Sequence, residues 1–166
     1  MATGLKSRII VREHKEANAS WAGAYKLLLK AKTIPSPIQD PSTVESTTLE
    51  DEVQTFEMGI RQSGLINAEG NYDLVFVDRV ESFAGKRVDI LHLYGTEGTG
   101  SQGIFGYEAQ VSSRPNDIGG NDEIIGMSVA IVPGTVPQNL TSDYKVTVSG
   151  EEETKAEDLE FTVVSA

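Results

Sequence analysis

Apolar and polar residues alternate along much of the second half of this chain, the period expected of strands with one buried face. Over residues 104–112, Phe105, Tyr107 and Ala109 share a side, and over 87–94, Val88, Ile90 and His92 do. Residues 123–132 keep the alternation for most of their length. Residues 144–148 and 159–164 read as two more strands joined by an acidic turn over 150–158. Between these segments, residues 95–103, 114–122 and 133–138 carry the Gly, Pro, Asn and Asp that supply turn geometry. In the first half, Tyr25, Leu27, Leu29, Ala31 and Thr33 alternate with Lys26, Lys30 and Lys32. That predicts a strand, although Leu28 is out of phase and a helix fits as well. Residues 53–58 and 65–68 predict two short strands, the second closed by Gly70.

One segment has the helical period instead. Asp73 is placed to cap it, and Leu74, Val77, Val80 and Phe83 recur at spacings that make one apolar face. Gly85 suits the left-handed residue that ends a helix, with Lys86 and Arg87 at the end where the dipole favours cations. The spacing predicts a helix over about residues 73–84. Many short strands, turn-rich connections and one helix predict a mainly β fold: a β-sandwich, barrel-like, with one flanking α-helix.

Two segments fall outside the pattern. Residues 1–20 are polar apart from Ile9, Ile10 and Val11 and read as an N-terminal arm holding at most one short strand. Residues 34–62 form a long connection that opens on Pro35, Pro37 and Pro41 and passes through the β-like run 43–48. Proline fixes φ and lacks an amide donor, so the start of this connection is neither helix interior nor central strand. Asp40, Glu45, Glu50, Asp51, Glu52 and Glu57 crowd it, and no Lys or Arg interrupts residues 34–60. Long connections of this kind inside a compact domain are functional or disordered. Residues 21–166 then read as a single domain, with the arm in front of it.

Composition adds charge to this picture. The 166 residues carry a net charge of −11, unevenly spread. Residues 1–33 hold seven basic against two acidic side chains, and the remainder is strongly acidic. A basic head on an acidic body is either a solvated tail or a means of complementary self-association. An acidic body disfavours ordinary nucleic-acid binding. The absence of cysteine removes disulfides, thiolate metal sites and cysteine nucleophiles, and favours intracellular synthesis over a disulfide-stapled secreted domain. No signal-peptide core opens the chain and no run approaches the roughly 20 apolar residues of a membrane span.

The search for chemistry is negative. Residues 98–103 match GxGxxG formally, but a dinucleotide fingerprint must open a helix and this one opens a strand. His14 and His92 are the only histidines, too few and too far apart in sequence for a zinc site, and His92 between Leu91 and Leu93 reads as a core or surface residue. No Gly-x-Ser-x-Gly elbow occurs. Asp40, Glu50, Asp51 and Glu52 lack the ligand alternation and central glycine of a calcium loop. No catalytic, cofactor-binding or metal residue is assigned, and the chain is expected not to be an enzyme.

The order of features between residues 20 and 85 resembles the major tail tube proteins of long, non-contractile-tailed bacteriophages. A Leu-rich strand runs into Ile34-Pro35. Pro41, the run Val44-Glu45-Ser46-Thr47-Thr48-Leu49 and Glu50-Asp51 follow. An aromatic strand through Phe56 then leads to Gly59-Ile60, Gly64-Leu65-Ile66 and a single helix. The later half matches only as a series of strands. The resemblance implies a tail tube or type VI secretion tube fold whose strands pair between subunits into hexameric rings, stacked as a conduit for DNA delivery into the host. It implies self-association, a tape measure protein, tail initiator or baseplate and tail terminator proteins as partners, and translocating DNA without specific binding. It also implies a place in the virion after synthesis in the bacterial cytoplasm, without membrane insertion or cofactor. Many such proteins carry a C-terminal immunoglobulin-like domain, for which this chain leaves no room.

On that reading, Arg8, Arg12 and Lys15 of the arm are candidate inter-subunit or inter-ring contacts. So are Pro35, Pro37, Asp40, Pro41, Glu45, Glu50, Asp51, Glu52 and Phe56 of the connection. No lumen-facing residue is assigned. The alternative is a monomeric β-sandwich that binds carbohydrate or protein through its glycine and acidic loops. A carboxylate-based hydrolase has no positive support in the residues.

Overall fold

Three consecutive apolar residues, Ile9, Ile10 and Val11, are each almost wholly withdrawn from solvent. In a computed structural model, which describes residues 6–14, 20–38, 40–61, 64–95, 98–149 and 159–166, they form the centre of strand β1, Arg8–Glu13. The expected arm is therefore, over these residues, an interior strand of the domain. Each such side chain gains about 2 kcal/mol on burial, which an arm waving in water would forgo.

The remaining strands are β2 (Gly23–Leu27), β3 (Ala31–Thr33), β4 (Pro41–Glu45), β5 (Phe56–Arg61), β6 (Ile66–Asn71), β7 (Val88–Tyr94), β8 (Gly103–Pro115), β9 (Gly126–Pro133), β10 (Gln138–Asn139), β11 (Tyr144–Ser149) and β12 (Glu160–Ser165). Among the described residues a single helix, α1 (Leu74–Ser82), lies between β6 and β7. The main sheet is antiparallel in the order β11-β12-β2-β1-β7-β8-β9-β6-β3, with β10 added beside β8. Among the described residues β4 and β5 pair only with each other, as a separate two-stranded sheet. The fold is mainly β, a strongly curled half-barrel with one helix against it.

The curl follows from a short link. β2 and β3 stand six places apart in the sheet, which on a flat sheet is about 29 Å at 4.8 Å per strand. Only Leu28, Leu29 and Lys30 join them, and four residue steps reach no more than about 14 Å. The sheet must bend until its two halves face each other. Leu27, Leu28 and Leu29 are all buried at this crossing, and the Leu28 amide donates to the Ile9 carbonyl (3.0 Å). The single strand expected over residues 25–33 is thus two strands in different parts of the sheet, broken where Leu28 fell out of phase.

Gly70 lies within β6 rather than closing it, and it sits where the crossing chain presses on the strand. A Cβ there would stand 2.2 Å from the Lys30 carbonyl oxygen. In β7, Val88 through Leu93 are all buried, so this strand is covered on both faces and not on one as alternation suggested. β8 runs beyond its expected end, to Pro115.

The helix matches its prediction closely. Asp73 Oδ1 accepts from the Val75 amide (3.0 Å), and Phe76, Val77 and Val80 are buried. Leu74 is exposed, and Phe76 takes the inward place expected of it. The helix stops at Ser82 with Phe83 as its cap, and Gly85 makes the left-handed turn (φ +72°) two residues later. Arg79 reaches from the helix to the Leu27 carbonyl, which ties α1 to the end of β2. Among the described residues one apolar cluster, from Ile9 to Val163, joins the main sheet and α1.

Candidate functional site: an exposed hairpin and a charged row

The long connection contains an ordered hairpin. β4 and β5 align Thr43 with Met58, Val44 with Glu57 and Glu45 with Phe56. Opposed residues share a face, so Thr43, Glu45, Phe56 and Met58 lie together on one side. Beyond the strands, polar side chains continue the pairing. The Ser46 amide donates to the Thr55 carbonyl (2.9 Å), the Thr55 amide to Thr47 Oγ1 (2.8 Å) and Gln54 Nε2 to Glu45 Oε1 (2.9 Å). At the tip the Thr48 amide donates to Asp51 Oδ2 (2.7 Å) while the Asp51 amide donates to the Thr48 carbonyl (3.1 Å). Asp51 is thereby committed to the turn. The run of Ser, Thr and Asp supplies these local bonds, which is why a stretch with almost no buried apolar residue still holds a shape.

The hairpin leaves apolar groups in water. Phe56 is 57% exposed and Met58 77%, and Val44, Leu49 and Val53 are more than half exposed. Asp40, Glu45, Glu50 and Glu52 are exposed around them. Pro35 and Pro41 are half-buried and Pro37 is buried, so the prolines shape the approach to the hairpin.

The basic candidates sit elsewhere. Arg8 is half-buried, its guanidinium over the Phe161 ring and within 3.4 Å of the Gly98 carbonyl. Arg12 is turned inward: Nε donates to Asp89 Oδ2 (2.9 Å), Nη1 to the Ala22 carbonyl (2.6 Å) and Nη2 to the Ser20 carbonyl (2.7 Å), over the Tyr25 ring. Both arginines therefore make contacts within their own chain. Lys15 lies outside the described residues.

Arg12 belongs to a constellation that residue spacing does not reveal. The register aligns Arg12 with Asp89 and Asp89 with Glu108, a row across β1, β7 and β8. His14, two residues beyond Arg12, and Arg87, two before Asp89, flank that row. His14 Nδ1 is 2.7 Å from Asp89 Oδ1 and His14 Nε2 is 3.5 Å from Glu108 Oε1. Arg87 Nη1 stands 3.6 Å from Glu108 Oε2. Asp89 is buried, and Glu108 and His14 are half-buried. A depression of about 200 Å³ opens beside Glu108, lined also by Arg87, Gln110, Val132, Pro133 and Gly134. The only sequence signals are ionisable residues inside or next to strands; their convergence depends on the β1–β7–β8 register.

His92 is a core residue. Its Nε2 is 2.8 Å from the Tyr107 hydroxyl, and Nδ1 is buried without a partner among the described residues. Burial holds its pKa down at about 4, because the charged ring would be stranded away from water. Burial likewise raises the Tyr107 phenol well above its usual range, with Tyr94 adding to the effect. The GxGxxG stretch leads into β8 and not into a helix, so it makes no helix-terminal phosphate site. Among the described residues no helix is long and apolar enough to cross a membrane.

No protein-family model matches this chain, and no curated protein does.

Proposed function

We propose that this chain is a structural subunit that polymerises with copies of itself, as the tail tube protein of a long-tailed bacteriophage. The observation that carries the proposal is the ordered hairpin with Phe56, Met58, Val44, Leu49 and Val53 in water. A monomer has no use for an apolar surface of this kind held in fixed geometry; a second copy does. The curled sheet supports the same reading. It is an open half-barrel whose outermost strands, β3 and β11, each have one partner in the sheet among the described residues. Pairing such edges between subunits closes a larger barrel and removes exposed edges.

In this reading six copies close a ring, and the hairpin of one ring seats on the next. Contacts of that kind are heterologous and propagate into a tube. The tube assembles on an initiator around a tape measure protein and ends at a terminator. Its excess negative charge lets DNA slide through without sticking. The finished product is part of the virion tail.

Electron microscopy of the purified protein, concentrated and incubated with and without initiator and tape protein, tests the proposal. Rings and stacked tubes are the expected result. Persistent monomers under all these conditions would sink it. Calorimetric binding of a glycan by a stable monomer would point to the binding-module alternative.

A further inference from the structure

We propose that His14 Nε2 and a Glu108 carboxylate oxygen form a binding site for one transition-metal dication of the zinc type, oriented by Asp89. The reasoning starts from the proton. An ionised carboxylate only accepts hydrogen bonds, so the 2.7 Å contact between Asp89 Oδ1 and His14 Nδ1 places the hydrogen on Nδ1. Arg12 holds the other oxygen, Oδ2, at 2.9 Å and fixes Asp89 as a charged, buried anchor. In the neutral ring Nε2 turns a lone pair toward the Glu108 carboxylate; in the charged ring it donates a proton there, so a metal ion binds by displacing that proton.

The spacing fits a metal. Zinc–nitrogen and zinc–oxygen bonds of about 2.1 Å at a tetrahedral angle separate the two ligand atoms by about 3.4 Å. His14 Nε2 and Glu108 Oε1 stand 3.5 Å apart. Donor atoms of His14, Asp89 and Glu108 all lie within 4.8 Å of one another. A carboxylate behind a ligating imidazole is the arrangement that fixes the tautomer and raises the basicity of the ligand. Two waters beside these two protein ligands would complete a four-coordinate sphere. Arg87 is the competitor: it stands 3.6 Å from Glu108 Oε2, but its side chain is 66% exposed and free to turn outward. Imidazole selects Zn²⁺, Ni²⁺ or Co²⁺ over Mg²⁺. The site is independent of the assembly reading, since all its atoms come from one chain.

Titration of the metal-free full chain with Zn²⁺, Co²⁺ and Mg²⁺, followed by calorimetry and thermal unfolding, tests the site. The expected result is one Zn²⁺ per chain with a rise in unfolding temperature, and no comparable effect of Mg²⁺. Cobalt should give the intense visible absorption of a four-coordinate site. His14→Asn, which keeps a donor for Asp89, and Glu108→Gln should each weaken binding about tenfold or more. Arg87→Ala should tighten it, a result that a purely structural role for the cluster does not give. The proposal is overturned if no binding occurs at millimolar Zn²⁺, if Mg²⁺ binds equally well, or if Zn²⁺ binding survives both ligand substitutions unchanged.

Discussion

Two buried polar residues set the energetics at the level of single side chains, and they do so in opposite ways. Asp89 is a charge kept inside because Arg12 is kept with it. Removing one partner of a buried pair leaves the other stranded, at a cost of about 3–5 kcal/mol. Arg12→Met should lower unfolding stability by that amount in a denaturant titration, whereas Lys26→Met on the exposed face of β2 should change it by less than about 0.5 kcal/mol. An equal, small effect of both would show that Arg12 is merely a surface contact. His92 is instead buried neutral, its pKa held near 4 against an ordinary value of 6.5. Between those values the unfolded chain takes up a proton that the folded chain refuses, so stability rises with pH in that window. The contribution is complete above about pH 6.5 and is lost as pH falls toward 4, on the order of 3 kcal/mol in all. Replacing the pair together, His92→Leu with Tyr107→Phe, should flatten this dependence. Parallel stability–pH curves for the parent and the double variant between pH 5 and 7 would contradict it.

Elements show which parts of the fold were legible. The helix could be read because its signals are local: a capping Asp73, a 3–4 spacing and a nearby glycine. β8, β9, β11 and β12 could be read from alternation. The interior placement of β1 could not, since a short apolar run flanked by Arg8, Arg12 and Glu13 says nothing about which strands lie beside it. The same gap hid the row Arg12–Asp89–Glu108, which is a product of register. Leu28 shows as a slip in the alternation, but the crossing it marks and the role of Gly70 were invisible, because both arise where distant strands meet. That crossing can be tested. Gly70→Ala drives a methyl group against the Lys30 carbonyl, and displacing backbone in a packed core costs about 1–3 kcal/mol. Chemical denaturation of the variant measures it, and an unchanged midpoint would mean that β3 yields freely. The hairpin β4–β5 should behave in the reverse manner. Phe56→Asp should leave monomer stability within about 0.5 kcal/mol, since the ring is largely in water already. In sedimentation velocity at high concentration the same variant should stop at single rings, closed by the sheet edges, and form no stacks. Retained stacking would move the contact surface elsewhere.

At the scale of the molecule, the kind of contact matters more than its strength. Of the basic residues at the head of the chain, Arg8 and Arg12 make contacts inside their own chain. The proposed assembly rests chiefly on the hairpin and the open sheet edges. A hairpin that seats on a different surface of the next copy makes a heterologous contact, and such contacts grow without limit. A hairpin that pairs with its own counterpart makes an isologous one, which stops at a closed dimer. The Phe56→Asp variant separates the two. In a heterologous tube it loses the face that carries the hairpin but keeps the face that receives one. Mixed with parent protein at about one part in ten, it should still join growing ends and then block the next addition. Tube lengths measured by electron microscopy should therefore fall well below those of the parent alone, out of proportion to the amount of variant present. In an isologous dimer the variant would simply stay out, and the remaining parent would associate as before. Undiminished lengths in the mixture, or dimers in place of tubes, would each exclude a hairpin that links one ring to the next.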